Sequence, residues 1–244
     1  MTYFVVSDVH SFYDEMLKAL EDKGFDINNP EHIIINCGDA LDRGSKPFEV
    51  LDFFMNKLPK GRRILIRGNH EDLMEEALAR GYFMVHDIHN GTQQTAFKLT
   101  NSQDLNEFDA IQNMKKHELY NKYVSECVDF REIGDYIFVH GWIPCKPYVY
   151  KYQEDWREGD WKSARWYNGM EMWHKGVREP NKTIVCGHWH SSFGNCYYHQ
   201  DGLEFPNKFN KGKANFKPFI DEGIVALDAC TALSHFVNCL KIEV

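Results

Sequence analysis

The sequence predicts an α/β fold in which two mixed β-sheets pack face to face and are flanked by helices, a four-layer sandwich. Short apolar segments rich in β-branched residues recur along the chain and are typical of buried strands. Segments with helical spacing alternate with the first of these strands, which predicts βαβ units and a mostly parallel sheet. Strand-like segments return near the end of the chain, and a second sheet packed on the first accommodates them.

Five strands are predicted in the body of the chain, and each is followed within a few residues by a metal-capable residue. They cover residues 3–6, 32–35, 64–66, 136–139 and 183–186. Helices are predicted over residues 12–20 and 47–58, where apolar residues share one face. Because ligand sites of parallel sheets form beyond the carboxyl ends of the strands, the polar residues are expected to converge.

The remaining segments predict a helical insert and a final pair of strands. Residues 71–130 have helical patterns over 71–80 and around 105–128, with an Asn90-Gly91 turn between them. Residues 224–227 and 236–242 predict two strands joined by a turn and paired antiparallel. No internal repeat or linker marks a boundary, so residues 1–244 are predicted to form a single domain.

Composition excludes several classes of function. The formal net charge of −8 disfavours general nucleic-acid binding, which needs a basic surface. No segment approaches the roughly 18 apolar residues of a membrane helix, and the N-terminal segment has neither the basic leader nor the apolar core of a signal peptide. Seven cysteines without a C-x-x-C pair fit reduced thiols. These observations predict a cytoplasmic protein and leave its oligomeric state open.

Five separated segments supply candidate metal ligands. They are Asp8-Val9-His10, Gly38-Asp39 with Asp42-Arg43-Gly44, Gly68-Asn69-His70-Glu71, His140-Gly141 and Gly187-His188-Trp189-His190. Carboxylate and amide oxygens mixed with imidazoles, without thiolates, suit Mn, Fe, Zn, Co or Ni. Two such ions need one bridging carboxylate, and they would clamp the attacking and leaving oxygens of an in-line displacement.

These segments resemble the calcineurin-like metallophosphoesterase superfamily, and within it the bacterial and phage type of the phosphoprotein (Ser/Thr) phosphatase branch. The family motifs D-x-H, G-D-x-x-D-R-G and G-N-H-E stand here as SDVHS, GDALDRG and RGNHE. The stretches NGTQQT, IGDYIFVHGWIP and PFIDEGIVALDACTAL extend the resemblance to nearly the whole chain. It implies one metallophosphoesterase domain over residues 1–244, with the helical insert at about 71–130.

The resemblance also implies that two divalent ions, Mn²⁺ foremost, are held by seven side chains. The first ion would be bound by Asp8, His10 and, through the G-H-x-H motif, His190; the second by Asn69, His140 and His188; and Asp39 would bridge both. Many phosphatases of this branch lack the histidine that corresponds to His190.

The family mechanism assigns roles to the polar residues beside these ligands. Arg43 would bind the substrate phosphate through its planar guanidinium. His70, oriented by Asp42, would protonate the leaving alkoxide, while a metal-bound hydroxide attacks phosphorus directly and no phosphoenzyme forms. Arg165 is the candidate for the family's second phosphate-binding arginine, with Arg157 and Arg178 as alternatives. Glu71 is interpreted as structural.

The reaction implied is hydrolysis of phosphomonoesters, in a phosphoprotein or a small phosphoester, and the enzyme is predicted to be a serine/threonine protein phosphatase. The alternative on the same bimetal site is a dinucleoside polyphosphate or cyclic nucleotide hydrolase. A non-catalytic scaffold that binds metals and phosphorylated partners is a third hypothesis. All six tryptophans lie in the segment from Trp142 to Trp189. They form either a packed cap or an aromatic wall on which a nucleobase or an aryl phosphate stacks.

Overall fold

The computed structural model describes residues 1–101, 106–146, 148–204 and 213–244, whose strands form two five-stranded sheets. The strands of sheet A are β1 (Thr2–Val6), β2 (His32–Asn36), β3 (Arg63–Ile66), β4 (Cys127–Val128) and β10 (Cys239–Glu243). The strands of sheet B are β5 (Arg131–Ile133), β6 (Tyr136–Phe138), β7 (Thr183–Cys186), β8 (Phe219–Asp221) and β9 (Ile224–Ala226).

Both sheets have a parallel centre and antiparallel edges. Sheet A has the order β10-β1-β2-β3-β4, in which β1 to β4 are parallel and β10 runs antiparallel along β1. Sheet B has the order β5-β6-β7-β9-β8, in which β6, β7 and β9 are parallel and the two edge strands are antiparallel. The sheets are therefore mixed, as predicted. Their parallel strands bring several carboxyl ends to one edge of each sheet.

Three buried apolar clusters define four layers. The central cluster joins the sheets, with Val5 and Ile35 of sheet A and Val185 and Val225 of sheet B among its members. The cluster outside sheet A packs α1 (Tyr13–Asp22), α2 (Pro47–Asp52), α3 (Asn69–Arg80), α5 (Thr92–Leu99), α6 (Glu107–Lys115) and α7 (Glu118–Glu126) against that sheet. The helix α4 (Val85–Asn90) lies against α3 and α5. The cluster outside sheet B packs α8 (Trp161–Ala164), α9 (Gly169–His174) and α10 (Ser192–Tyr197). The predicted sandwich is confirmed.

The segment predicted to be a helical insert contains α3 to α7. The helical pattern around 105–128 is two helices rather than one, α6 and α7, and residue 105 lies outside the described part of the chain. The break falls at His117, because its Nδ1 caps α7 by accepting a hydrogen bond from the Tyr120 amide at 3.2 Å. Among the helices described, none is both long and apolar enough to cross a membrane.

The predicted pairing of the last two strands is wrong. β9 lies in sheet B between β7 and β8, whereas β10 lies in sheet A, where Cys239 pairs with Val6 and Glu243 with Thr2. The connection between them contains α11 (Thr231–Ser234), with left-handed residues Cys230 and His235 at its two ends. A connection of this length is not confined to a hairpin, and it carries the chain to the unpaired edge of β1.

Candidate active site

The loops that follow five parallel strands converge at one end of the sandwich. Asp8 follows β1, Asp39 follows β2, and Asn69 begins α3 directly after β3. His140 and His188 follow β6 and β7 of sheet B. The loops of the two sheets are joined directly, since the His188 backbone amide donates to a carboxylate oxygen of Asp8 at 3.0 Å. The site is therefore assembled from both sheets.

Several of these loop residues have a left-handed backbone that residues other than glycine rarely adopt. The φ angle is 52° at Asp8, 53° at Asp39, 72° at Asp42 and 67° at His188. Each such residue costs on the order of 1–3 kcal/mol and persists only where the surrounding structure fixes it. A cluster of strained polar residues at the strand ends is typical of an active site.

The carboxylate of Asp39 lies between two groups of histidine nitrogens. Its Oδ2 is 3.8 Å from Nε2 of both His10 and His70, and its Oδ1 is 3.3 Å from Nε2 of His140. The donor atoms of His10, Asp39 and His70 are close enough together to hold one ion, and so are those of Asp39, His140 and His188. Asp39 belongs to both groups, as the predicted bridging ligand would.

Backbone carbonyls determine which imidazole nitrogens face this centre. Nδ1 of His140 donates to the Cys37 carbonyl at 2.7 Å, and Nδ1 of His10 donates to the Leu41 carbonyl at 2.9 Å. A neutral ring held this way carries no proton on Nε2, so its lone pair points into the centre. Such outer hydrogen bonds are the usual way in which proteins orient metal-binding histidines.

Asn69 adds an amide oxygen to the second donor group. Its Oδ1 lies 2.8 Å from Nε2 of His140 and 2.8 Å from Nδ1 of His188. A protonated ring nitrogen donates to this oxygen. On deprotonated rings the nitrogen lone pairs would instead repel the oxygen, and a cation bound among these atoms would remove that repulsion. The mixture of oxygen and nitrogen donors therefore fits a divalent metal ion.

Burial and neighbouring charges shift the pKa values of the histidines. Burial, together with the charge of His140, lowers the pKa of His188 to about 3, which leaves this ring neutral. Burial also lowers the pKa of His140, but the Asp39 carboxylate outweighs it and raises this pKa to about 10. For His70, the carboxylates of Asp39 and Asp42 likewise outweigh burial and raise the pKa. A metal ion that binds His140 therefore displaces a proton.

The other two predicted ligands, Asp8 and His190, are not members of either group found among the described residues. The Asp8 carboxylate accepts hydrogen bonds from Ser7 Oγ at 2.5 Å and from the His188 amide at 3.0 Å. Nδ1 of His190 lies 2.8 Å from Ser192 Oγ in its own loop. Asp8 thus lies against the centre, and the role of His190 as a ligand stays a prediction.

His70 and Arg43 lie beside the first donor group. Asp42 Oδ2 is 2.7 Å from Nδ1 of His70 and also accepts a hydrogen bond from Thr92 Oγ1 at 2.6 Å. Nε2 of His70 lies 3.2 Å from one guanidinium nitrogen of Arg43, and Nε2 of His10 lies 3.0 Å from another. The structure brings together the predicted leaving-group acid, its orienting carboxylate and the predicted phosphate-binding arginine.

Two supporting residues were not identified from the sequence as parts of the site. Thr92 holds Asp42, and it stands in the NGTQQT stretch whose likeness to other members of the superfamily was the available signal. The Glu71 carboxylate accepts hydrogen bonds from the backbone amides of Gly68 at 2.7 Å and Asp39 at 3.1 Å, and from the Tyr123 hydroxyl at 2.9 Å. Glu71 thus fixes the loop after β2 to the loop after β3.

Arg165 is held by carboxylates of the protein. The residue is 8% exposed, and its guanidinium donates to Asp72 Oδ2 at 2.9 Å and to Asp129. Its Nε is buried and has no hydrogen-bond partner among the described residues, and its substrate role stays a prediction. The guanidinium groups of the alternatives, Arg157 and Arg178, lie over indole rings.

The tryptophans divide into two sets. Four are buried in the cluster outside sheet B, as in a packed cap, namely Trp142, Trp156, Trp161 and Trp173. Trp166 and Trp189 are 47% and 38% exposed. Their ring centroids lie 5.7 Å and 6.1 Å from that of His188. These two rings therefore border the candidate metal centre.

Gly68 provides a test of how tightly the centre is packed. A Cβ atom at Gly68 would lie 2.1 Å from Asp39 Oδ1 and 2.8 Å from Glu71 Oε2. We expect Gly68→Ala to displace Asp39 and to lower Mn²⁺-dependent turnover by at least about tenfold, as loss of outer-shell support for a metal ligand does. The matched control is Gly61→Ala, whose Cβ meets no atom within 4 Å. Equal turnover of both variants would contradict the close packing.

The fold and the donor set together define a metallophosphoesterase. The sequence model of the calcineurin-like phosphoesterase family matches residues 1–211, and the chain belongs to this family. The resemblance described above is confirmed, and the chain is a hydrolase of phosphoesters by class.

Individual relatives refine this result. The chain is 29% identical over 213 residues to bis(5'-nucleosyl)-tetraphosphatase PrpE (asymmetrical) of Bacillus subtilis strain 168. The aligned region covers 75% of this chain and 82% of that relative. Solved structures of a cold-active protein tyrosine phosphatase from a psychrophilic Shewanella species and of a mutant of such an enzyme are similar, at TM-scores of 0.56 and 0.58 and identities of 16% and 18%. Each of the two superpositions covers 99% of this chain and 75% of the phosphatase chain. This likeness supports the fold.

Proposed function

We propose that this chain is a phosphoesterase that uses two divalent metal ions, Mn²⁺ foremost, with Fe, Zn, Co or Ni suited to the same donors. The observation that carries the proposal is the Asp39 carboxylate, which directs one oxygen towards each of two histidine groups. The first ion would be held by Asp8, His10 and Asp39, with His190 as a further ligand, and the second by Asp39, Asn69, His140 and His188.

The residues around the ions have complementary tasks. Bound ions would act as Lewis acids that polarise the phosphoryl group and lower the pKa of water, so that hydroxide is available for direct attack on phosphorus. Arg43 binds phosphate oxygens through its planar guanidinium, which offers two parallel N–H groups. His70 protonates the leaving oxygen from Nε2, since Nδ1 is held by Asp42 at 2.7 Å. This hydrogen bond confines the transferable proton to the nitrogen that faces the substrate.

Dinucleoside polyphosphates are the substrate class that we favour. Two observations support this choice: the similarity to an asymmetrical bis(5'-nucleosyl)-tetraphosphatase over 75% of this chain, and the exposed rings of Trp166 and Trp189 beside His188. Hydrolysis of phosphoserine or phosphothreonine in proteins, which the motifs imply, is the competing prediction and needs the same metal centre. The cytoplasmic location stays a prediction from composition.

The test is hydrolysis by metal-stripped protein, with Mn²⁺ restored, of an aryl phosphate, a phosphoserine peptide, a phosphotyrosine peptide and diadenosine tetraphosphate. We expect turnover to require the metal and kcat/KM to be highest for diadenosine tetraphosphate. A higher value for the phosphoserine peptide would instead support the protein phosphatase. Protein that binds Mn²⁺ and turns over none of the four would be a scaffold, and the enzymatic proposal would fail.

A further inference from the structure

Two tryptophans, Trp166 and Trp189, contact the metal-ligand candidate His188 and remain open to solvent. The Trp166 ring meets the His188 ring edge-on, with an interplanar angle of 82°, and the Trp189 ring meets it at 61°. Their exposed fractions of 47% and 38% contrast with 9% or less for the other four tryptophans. Packing of the core does not account for these two residues, because nearly half of the surface of one and more than a third of the surface of the other remain exposed.

Both rings are carried on backbone that is fixed to the site. The Trp142 amide donates to the Ala164 carbonyl at 3.1 Å, which ties the turn before Trp166 to the loop that follows His140. Gly141 permits this approach, since a Cβ there would lie 2.4 Å from the Ala164 carbonyl oxygen. The Trp189 amide in turn donates to the Gly187 carbonyl at 2.8 Å. The backbone near both tryptophans is therefore tied to the loops of the site, and such order before binding reduces the entropy that binding costs.

The Trp189 ring also contacts two further rings, those of His190 and Phe193, which support it. It stacks on His190 with a centroid separation of 6.0 Å and an interplanar angle of 27°, and it meets Phe193 edge-on at 6.4 Å. One face of the indole is thus supported by protein while the side chain remains 38% exposed. A flat aromatic surface with one supported face is suited to stacking of a second flat ring.

We propose that Trp166 and Trp189 form a platform on which a nucleobase of a nucleoside polyphosphate stacks while its phosphate chain enters the metal centre. This inference rests on the proposed phosphoesterase activity and names the part of the substrate that the tryptophans recognise. Stacking on aromatic side chains accepts any base, because every base has a π-face. Recognition by the platform is therefore expected to distinguish substrates with a base from those without one, and to discriminate little among bases.

The test compares a phosphoanhydride that carries nucleosides, diadenosine tetraphosphate, with one that carries none, inorganic tripolyphosphate, using the Mn²⁺-loaded full chain. We expect Trp166→Leu and Trp189→Leu each to lower the ratio of kcat/KM for the first substrate to that for the second by about tenfold. A tenfold change corresponds to about 1.4 kcal/mol, which lies within the range of stacking of one base on one aromatic ring. The change is expected in KM for diadenosine tetraphosphate, because the base lies away from the reacting phosphorus.

Three controls separate stacking from damage to the fold and from failure of the enzymatic proposal. Trp166→Phe and Trp189→Phe keep an aromatic face and are expected to restore most of the ratio. Phe236→Leu removes the ring of a residue of equal exposure, 38%, which lies in the connection between α11 and β10, and it is expected to keep the wild-type ratio. A ratio within twofold of wild type in both leucine variants would overturn the platform while leaving the hydrolase intact. Absence of metal-dependent turnover in the wild-type protein would instead overturn the underlying function.

Discussion

Asp39→Asn is expected to lower Mn²⁺-dependent turnover by about 10³-fold or more and to reduce the metal content of the protein below two ions. The Asp39 carboxylate faces His10 and His70 with one oxygen and His140 with the other. An asparagine keeps the shape but offers one neutral oxygen, so it cannot bridge two cations. Metal ions contribute several kcal/mol to transition-state stabilisation, and each 1.4 kcal/mol is a factor of ten in rate.

Metal content and thermal stability give readouts that do not depend on the substrate. A metal that binds only the folded protein stabilises it by about 2.7 kcal/mol at a concentration of 100 Kd. Mn²⁺ is therefore expected to raise the Tm of the wild type clearly and that of Asp39→Asn much less. The control is Asp135→Asn, whose side chain is 89% exposed. Two tightly bound ions and wild-type turnover in Asp39→Asn would rule out the bridging role.

His70→Asn is expected to reduce kcat for phosphoserine peptide by about 10²-fold or more, in the range that a positioned general acid contributes. The reason is the geometry: Asp42 holds Nδ1 of His70 at 2.7 Å and leaves Nε2 as the proton donor. Asparagine cannot protonate an alkoxide. Mn²⁺ binding is expected to persist if His70 acts as an acid and to weaken if it acts as a ligand of the first ion.

The leaving group sharpens this test. A nitrophenolate leaves without protonation, so the loss with a nitrophenyl phosphate is expected to be much smaller than the loss with the phosphoserine peptide. Asp42→Asn is expected to show the same dependence on the leaving group, since it changes the orientation of the same imidazole. Equal losses on both substrates would assign His70 to phosphate or metal binding, and unchanged turnover on both would remove it from the mechanism.

Local patterns of apolar residues predicted most of the strands and helices, but they did not predict which distant strands pair with each other. Short apolar runs located β1, β2, β3, β6 and β7 to within a residue at either end. The position of β10 was not accessible in this way, because nothing within residues 236–242 indicates that their partner is β1 at the other end of the chain. The break between α6 and α7 was also missed. Histidine is not among the residues preferred at helix N-caps, so His117 did not indicate the start of a new helix.

In the candidate site, the ligand-type residues were predictable from sequence motifs, whereas the hydrogen bonds that support them were not. Ligand-type residues after strands located the centre, because each strand delivers its next polar residue to the same edge. What the sequence could not supply is the second set of contacts, such as the Thr92 hydroxyl on Asp42 and the Glu71 carboxylate on two loop amides. The pairing of Arg165 with Asp72 is likewise a contact between residues 93 positions apart.

The proposed ligands are divided between two halves of the polypeptide. Sheet A and its loops carry Asp8, His10, Asp39 and Asn69, whereas the loops of sheet B carry His140 and His188. Neither half by itself can hold the pair of ions, and the His188 amide meets the Asp8 carboxylate only where the sheets join. Hydrolysis of phosphoesters is therefore expected only from molecules in which both sheets have folded and joined, because a partly folded chain lacks a complete catalytic centre.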